Sequence, residues 1–408
     1  MTTAQNPMML FYRQSQVKGF NAEKTLKEVC ELLRKGQVSH IDYQSLLKGL
    51  NNYAHKASDT PEVWNSLKSH YLQCNSHFDE HTYALFLNIL YRKRYEDQAF
   101  IQEVLKTLDG RLVHMDAVGL GWTAEALAPY RHFVTQTQLD LFQDRFKQLE
   151  ADIKPKTLQK LTSSLYILQR EFEIDEEIYR VCARLLLKWY QDLPLFQLAQ
   201  CMNFLGQRDL THDCDVYNVV QRYIAKEVGE GRVNPRELVI FMNAFCSIYP
   251  AANFYALFDR FEEVVLQCPE DYLSKGMDFC TVVHSFSRMK RGQHLFAQLP
   301  RFSATLQALE ADPKSLGVTL SAILRAVPEA AYRDSVLKPL LLRNAARVPV
   351  WHFKKCVLFL LKQSAGDVQF WEQVKALGLL VLDERDRLHF APVATQLKSV
   401  IGLDLSQP

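Results

Sequence analysis

Apolar residues recur along this chain in sets of three, at steps of four and three, the spacing that lines one face of an α-helix. The sets are Leu46/Leu50/Tyr53, Tyr83/Leu87/Leu90, Leu120/Ala124/Leu127, Leu161/Leu165/Leu168, Leu198/Met202/Leu205, Leu238/Met242/Phe245, Phe279/Val283/Phe286, Leu316/Leu320/Ile323 and Phe353/Val357/Leu360. Their first residues are separated by 37, 37, 41, 37, 40, 41, 37 and 37 positions. An interval that regular marks a repeat array, with three or four residues inserted in the longer units.

A second apolar stripe follows each set: Trp64/Leu67/Tyr71, Phe100/Val104, Phe142/Phe146, Tyr179/Cys182/Leu186, Tyr217/Val220, Phe254/Leu257/Phe261, Leu295/Leu299, Tyr332/Val336 and Phe370/Val374. Each unit therefore reads as a helical hairpin, too short to bury its own apolar face and dependent on its neighbours to cover it. Polar or helix-breaking stretches such as HKASDTPE, GQRDLTHDCD, YPAANF and KRGQH fall between the two helices. Pro194, Pro235, Pro313 and Pro349 each precede a set by three or four residues. Proline is tolerated at the start of a helix because the first amide has no intrahelical partner.

The predicted fold is all-α, a right-handed superhelical solenoid of about nine hairpins with a period of about 37 residues. The array runs over residues 37–375, with no Gly/Ser linker and no domain boundary inside it. Residues 23–36 predict a capping helix that Gly36 ends. Residues 1–22 form an N-terminal extension with Arg13 and Lys18 and no acidic residue, compatible with the remnant of a targeting segment or with a flexible terminus. Residues 376–408 read as a C-terminal cap: two short extended segments, LGLLVL and RLHF, around the polar turn DERD, then a helical piece, PVATQLKSVIGL.

Composition narrows this picture only slightly. The 408 residues are 48% hydrophobic and 23% charged, which predicts a folded chain throughout. The formal net charge is only +2, so any surface for nucleic acid must come from where the charges sit. Nine cysteines (Cys30, Cys74, Cys182, Cys201, Cys214, Cys246, Cys268, Cys280 and Cys356) include no C-x-x-C pair, which predicts free thiols and a reducing compartment. No run approaches the roughly eighteen apolar residues of a spanning helix, so no membrane span is expected.

The segments VYNVVQRYIAKEV, IYRVCARLLLKWYQDLPLFQLAQCMNFLGQRD and YALFDRFEEVVLQ with MDFCTVVHSFSRM resemble the heptatricopeptide-type repeats of organellar RNA-binding proteins. Those repeats are related to octotricopeptide repeats and to the repeats of FAST-kinase-domain and RAP-domain proteins. The resemblance implies a mitochondrial (matrix) or plastid location and work on RNA: stabilisation, processing, editing or ribosome structure and assembly. It implies single-stranded or ribosomal RNA and the proteins of a mitochondrial ribonucleoprotein as partners, and no cofactor. The tail LVLDERDRLHFAPVATQLKSVIGL departs from the RAP pattern, so the family's nuclease-like activity is not carried over and no enzyme is expected. Two rival readings stay open: a protein-only scaffold in a mitochondrial complex, and a diverged RAP-like nuclease built on Asp383, Glu384 and Asp386.

Chemistry-bearing motifs are few. The sequence has no phosphate loop, nucleophile elbow, H-E-x-x-H helix or kinase set. Cys74/His77/His81 has ligand spacing but lacks an evident fourth ligand. His212/Asp213/Cys214 and His114/Asp116 are isolated groups that read as solvated loop residues.

The pattern beyond the core is electrostatic. Nine to twelve residues after the first member of each set stand Lys56, Arg92/Lys93/Arg94, Arg131, Arg170, Arg208, Arg288/Lys290/Arg291, Arg325 and Lys362; only the Leu238 unit lacks a cation there. Stacked repeats would align these charges into a stripe able to follow a phosphate backbone. The same positions suit simple helix capping, since a cation in the last turn interacts favourably with the helix dipole. The candidate RNA-binding residues are Arg92, Lys93, Arg94, Arg131, Arg170, Arg208, Arg288, Lys290, Arg291, Arg325 and Lys362, with Tyr95, Tyr130 and Tyr166 as candidate base-stacking rings.

Overall fold

The computed structural model describes residues 7–16, 23–35, 38, 40–53, 61–92, 94–208, 215–248, 251–364 and 366–402. Among these every regular element is helical and there is no strand. The chain divides into two compact units, Met1–Leu205 and Gly206–Pro408.

The apolar triads lie on nine helices: α1 (His40–Tyr53), α2 (Glu80–Arg92), α3 (Ala117–Leu127), α4 (Pro155–Leu168) and α5 (Leu195–Leu205) in the first unit, then α6 (Pro235–Phe245), α7 (Gly276–Met289), α8 (Pro313–Arg325) and α9 (Val350–Ser364) in the second. The Tyr53 side chain lies outside the described set; the other triad side chains are buried, none more than 3% exposed. Within each unit these helices pack in chain order, α1 on α2 through α4 on α5, and α6 on α7 through α8 on α9. Burying a Leu, Met or Phe side chain contributes about 1.5–3 kcal/mol, so the repeated triad is the main source of cohesion between neighbours.

The second stripes lie on the helices that alternate with these. In the first unit Gln136–Gln148 packs against both Leu108–Leu112 and Glu176–Trp189; in the second, Tyr255–Gln267 packs against Val216–Gly229 and Gln293–Gln298. Phe142, Phe146, Leu257 and Phe261 are buried there. Pro155, Pro235 and Pro313 each occupy the first turn of their helix. Pro194 and Pro349 sit just before α5 and α9, where their carbonyls accept from the amides of Leu198 and Phe353 at 3.0 and 3.1 Å.

Three expectations are corrected. First, part of the N-terminal extension is not a flexible end. Pro7–Ser15 is a helix packed on α1, with Met8 and Phe11 buried. Gly49 admits it, because a Cβ there would lie 2.6 Å from the Phe11 ring. Second, the predicted uninterrupted array is divided between the two helices of its fifth hairpin, after α5. The apolar periodicity continues across that point, so the sequence carries no mark of it. Third, the C-terminal cap contains no extended hairpin among the described residues. Asp383 starts a helix, Glu384–Phe390, through a capping box: its carboxylate accepts from the Asp386 amide at 2.8 Å, and Asp386 accepts from the Asp383 amide at 3.1 Å. Helical turns continue to Ile401.

Candidate functional site

Most of the sequence-predicted cations turn out to have local work. Arg92 donates to the Asn51 carbonyl of α1 at 3.2 Å, closing the last turn of the preceding triad helix. Arg131 is paired with Glu171. Arg170 lies over the Tyr166 ring at 5.4 Å, and Arg291 over Tyr255 at 4.3 Å with Asp259 at 3.6 Å. Arg208 and Lys362 are both exposed in the second unit, outside the pocket described below. Lys56, Lys93 and the group His212/Asp213/Cys214 lie outside the described residues. Of the candidate stacking rings, Tyr95 packs against Trp64 and Phe100, and Tyr130 is buried.

Arg94 and Lys290 hold the left-handed position that ends a helix, at φ 51° and 55°. The Lys290 and Arg291 amides donate to the carbonyls of Ser287 and Phe286 at 3.2 and 3.1 Å, and Arg94 and Tyr95 do the same to Tyr91 and Leu90 at 2.9 and 3.0 Å. This is the doubly bonded helix end that glycine favours, because a Cβ there crowds the backbone. Replacing Lys290 with glycine should therefore raise the stability of the second unit by about 1 kcal/mol in chemical denaturation. An unchanged or lower midpoint would contradict the strain argument.

Arg288 and Arg325 remain, and the structure brings them together. Both are exposed, stand at the ends of the neighbouring helices α7 and α8, and line a pocket of about 210 Å³ in the second unit. Its walls include His284 and Ser287 from α7, Trp351, Lys354 and Lys355 from α9, and His389 and Phe390 from the C-terminal helix. Gly317 lets α9 approach α8: a Cβ there would fall 2.7 Å from Val348 Cγ1 and 2.9 Å from His352 Cβ.

Among the described residues no carboxylate lines the pocket, and none pairs with Arg288, Arg325 or Lys355. Lys354 is spoken for: it is buried and paired with Asp386 of the C-terminal helix. The excess positive charge shows in the groups that can lose a proton. Burial, with Arg288, Lys355, His352 and Arg325 around it, pushes the His284 imidazole down to about 4, so it is neutral at pH 7. Burial together with Arg325 and Arg288 lowers the Lys355 ammonium, and burial with Lys355 and Lys314 lowers His352. Burial is the larger cause in all three, and the neighbouring cations add to it.

Trp351 supplies the aromatic surface. It is 38% exposed, with the Lys355 ammonium 4.7 Å from its ring and His389 edge-on at 5.6 Å. The Ser287 hydroxyl, in a residue only 5% exposed, has no hydrogen-bond partner and lies in the pocket wall. The arrangement can hold an anion among two guanidinium forks and an ammonium, with a ring system beside it.

Sequence reasoning found two of these residues and missed Lys355, Trp351, His284 and His389. One signal was available. Lys354 and Lys355 fall near the start of α9 and Lys314 in the first turn of α8, and a lysine there cannot be explained as a cap on the carbonyls of its own helix end.

Cys74, His77 and His81 are not brought together as ligands; His81 meets Trp122 edge-on at 4.9 Å and faces Asp116 at 3.9 Å, and no group of three possible ligands occurs among the described residues. No disulfide joins the described cysteines. No helix among the described residues is long and apolar enough to cross a membrane. The chain matches no protein-family model and no curated protein.

Proposed function

We propose that this chain is a helical-repeat RNA-binding protein of the heptatricopeptide kind. In this reading about nine hairpins form a right-handed solenoid, and the protein acts without catalysis of its own in mitochondrial RNA processing, stabilisation or editing, or in the structure and assembly of the mitochondrial ribosome. The observation that carries it is the set of uncompensated cations Arg288, Arg325 and Lys355, drawn from three successive helices around the exposed ring of Trp351. A backbone-tracking surface needs cations that the protein has not already neutralised, and an adjacent ring on which a base can lie.

The test is affinity for single-stranded RNA across a salt series. Reversing Arg288, Arg325 and Lys355 to glutamate together should weaken binding and flatten the slope of log affinity against log salt by about 2, since each phosphate contact on a single strand contributes roughly 0.7. Reversing Arg301, exposed and outside the pocket, should leave the slope unchanged. Unchanged affinity and slope in the triple variant would defeat the RNA reading.

One observation favours the protein scaffold instead. The C-terminal segment exposes Val381 and Leu388 to 73% and 77%, and apolar side chains left open in this way suit a protein partner. The scaffold reading takes over if the wild-type chain binds RNA no better than a neutral control.

A further inference from the structure

The pocket is built for something more particular than a passing strand. At about 210 Å³ it is smaller than the roughly 300–1,000 Å³ of pockets that enclose a drug-sized ligand. It has room for one anionic head and part of one ring, and the C-terminal helix closes one side with His389 and Phe390. A phosphodiester within a strand carries a single charge, which three uncompensated cations exceed. A phosphomonoester carries about −1.5 to −2 at pH 7 and presents three oxygens, a closer match to two arginine forks and an ammonium.

We propose that this pocket binds a terminal nucleoside monophosphate, its phosphomonoester held by Arg288, Arg325 and Lys355 and its base resting on Trp351. The ligand is a free nucleotide or the 5′-phosphorylated end of an RNA; the chemistry of the contact is the same. For the RNA end the proposal rests on the function proposed above, whereas for the free nucleotide it stands apart from it. His284, neutral among its charged neighbours, can donate one hydrogen bond to a phosphate oxygen without adding a charge. The apolar walls of Leu358, Phe359 and Phe390 face the ring rather than the phosphate in this assignment.

The test uses the full chain and five probes: one RNA oligonucleotide with a 5′-phosphate, the same oligonucleotide with a 5′-hydroxyl, adenosine monophosphate, adenosine and inorganic phosphate. The phosphorylated oligonucleotide should bind at least tenfold more tightly than its hydroxyl twin, and adenosine monophosphate should compete with it where adenosine does not. Arg288→Gln and Arg325→Gln, both on exposed side chains whose loss leaves the core intact, should each reduce the preference for the 5′-phosphate. Trp351→Ala should weaken adenosine monophosphate more than inorganic phosphate.

Equal binding of the two oligonucleotides, with no competition by the nucleotide, overturns the proposal even if salt-dependent RNA binding remains. Inorganic phosphate competing as well as adenosine monophosphate also overturns it, because the ring would then contribute nothing. Nucleotide binding without RNA binding supports the pocket and removes the RNA reading.

Discussion

Replacing Leu161 with aspartate is expected to abolish the cooperative melting of the first unit. Leu161 is fully buried on α4, which packs on α3 at one side and on α5 at the other, so no surface is within reach of a new carboxylate. Truncation to alanine should cost about 2–5 kcal/mol, the range for a buried leucine whose cavity only partly collapses. Aspartate adds the burial of a charge without a partner, several kcal/mol more, against a total stability of about 5–15 kcal/mol for a domain. Circular dichroism should show a folded Leu161→Ala variant with a lowered midpoint and a Leu161→Asp variant with no first-unit transition. An aspartate variant that melts like the parent would mean that the triad register is wrong, because the same face carries Leu165 and Leu168 and its counterparts recur on the neighbouring helices.

That register was readable because it depends only on local geometry. A helix repeats every 3.6 residues whatever packs on it, so Leu198, Met202 and Leu205 had to share a face, and a period near 37 placed the next face alike. The proline positions were legible for the same reason. The C-terminal segment was not, because the short continuous apolar run LGLLVL mimics a buried strand, whereas the decisive fact is the reciprocal bonding of Asp383 and Asp386 at a helix start. The docking of Pro7–Ser15 depended on two buried apolar side chains, Met8 and Phe11, too few to announce a helix face.

The candidate site divides along the same line. The position of each cation in its repeat was visible, but its partner was not. Arg131 meets Glu171 forty residues away, and Arg92 meets the Asn51 carbonyl forty-one residues away, contacts that exist only once neighbouring units are packed. Those partners separate capping and structural arginines from Arg288 and Arg325. The pocket itself needed three helices and the C-terminal segment, so no single stretch of sequence could contain it.

Removing the Asp386 carboxylate should release the C-terminal segment that walls this pocket. Lys354 and Asp386 are 8% and 2% exposed, and the ammonium donates directly to the carboxylate between α9 and Glu384–Phe390. Taking away one member of a buried pair costs about 3–5 kcal/mol, mostly because the other charge is left uncompensated. In Asp386→Ala, hydrogen exchange across residues 384–402 should rise by orders of magnitude while that of α7 changes little, and Phe390, Val393 and Leu397 should become reachable by protease. Replacing both partners together, Lys354→Met with Asp386→Leu, should restore much of the protection, since no buried charge then remains.

The dependence on pH follows from the direction of the shift. Burial opposes the charged form of Asp386, but the Lys354 ammonium and the Asp383 amide outweigh it and hold the carboxyl below the ordinary aspartate range. A carboxylate whose folded pKa is depressed contributes stability that is fully present above its unfolded value of about 3.9 and is lost as pH falls through the folded value. The parent segment should therefore stay protected at pH 6–8 and loosen only below about pH 4, whereas Asp386→Ala should lack this acid transition. Unchanged exchange of residues 384–402 in Asp386→Ala at neutral pH would show that the apolar contacts of Phe390, Val393 and Leu397 hold the wall by themselves.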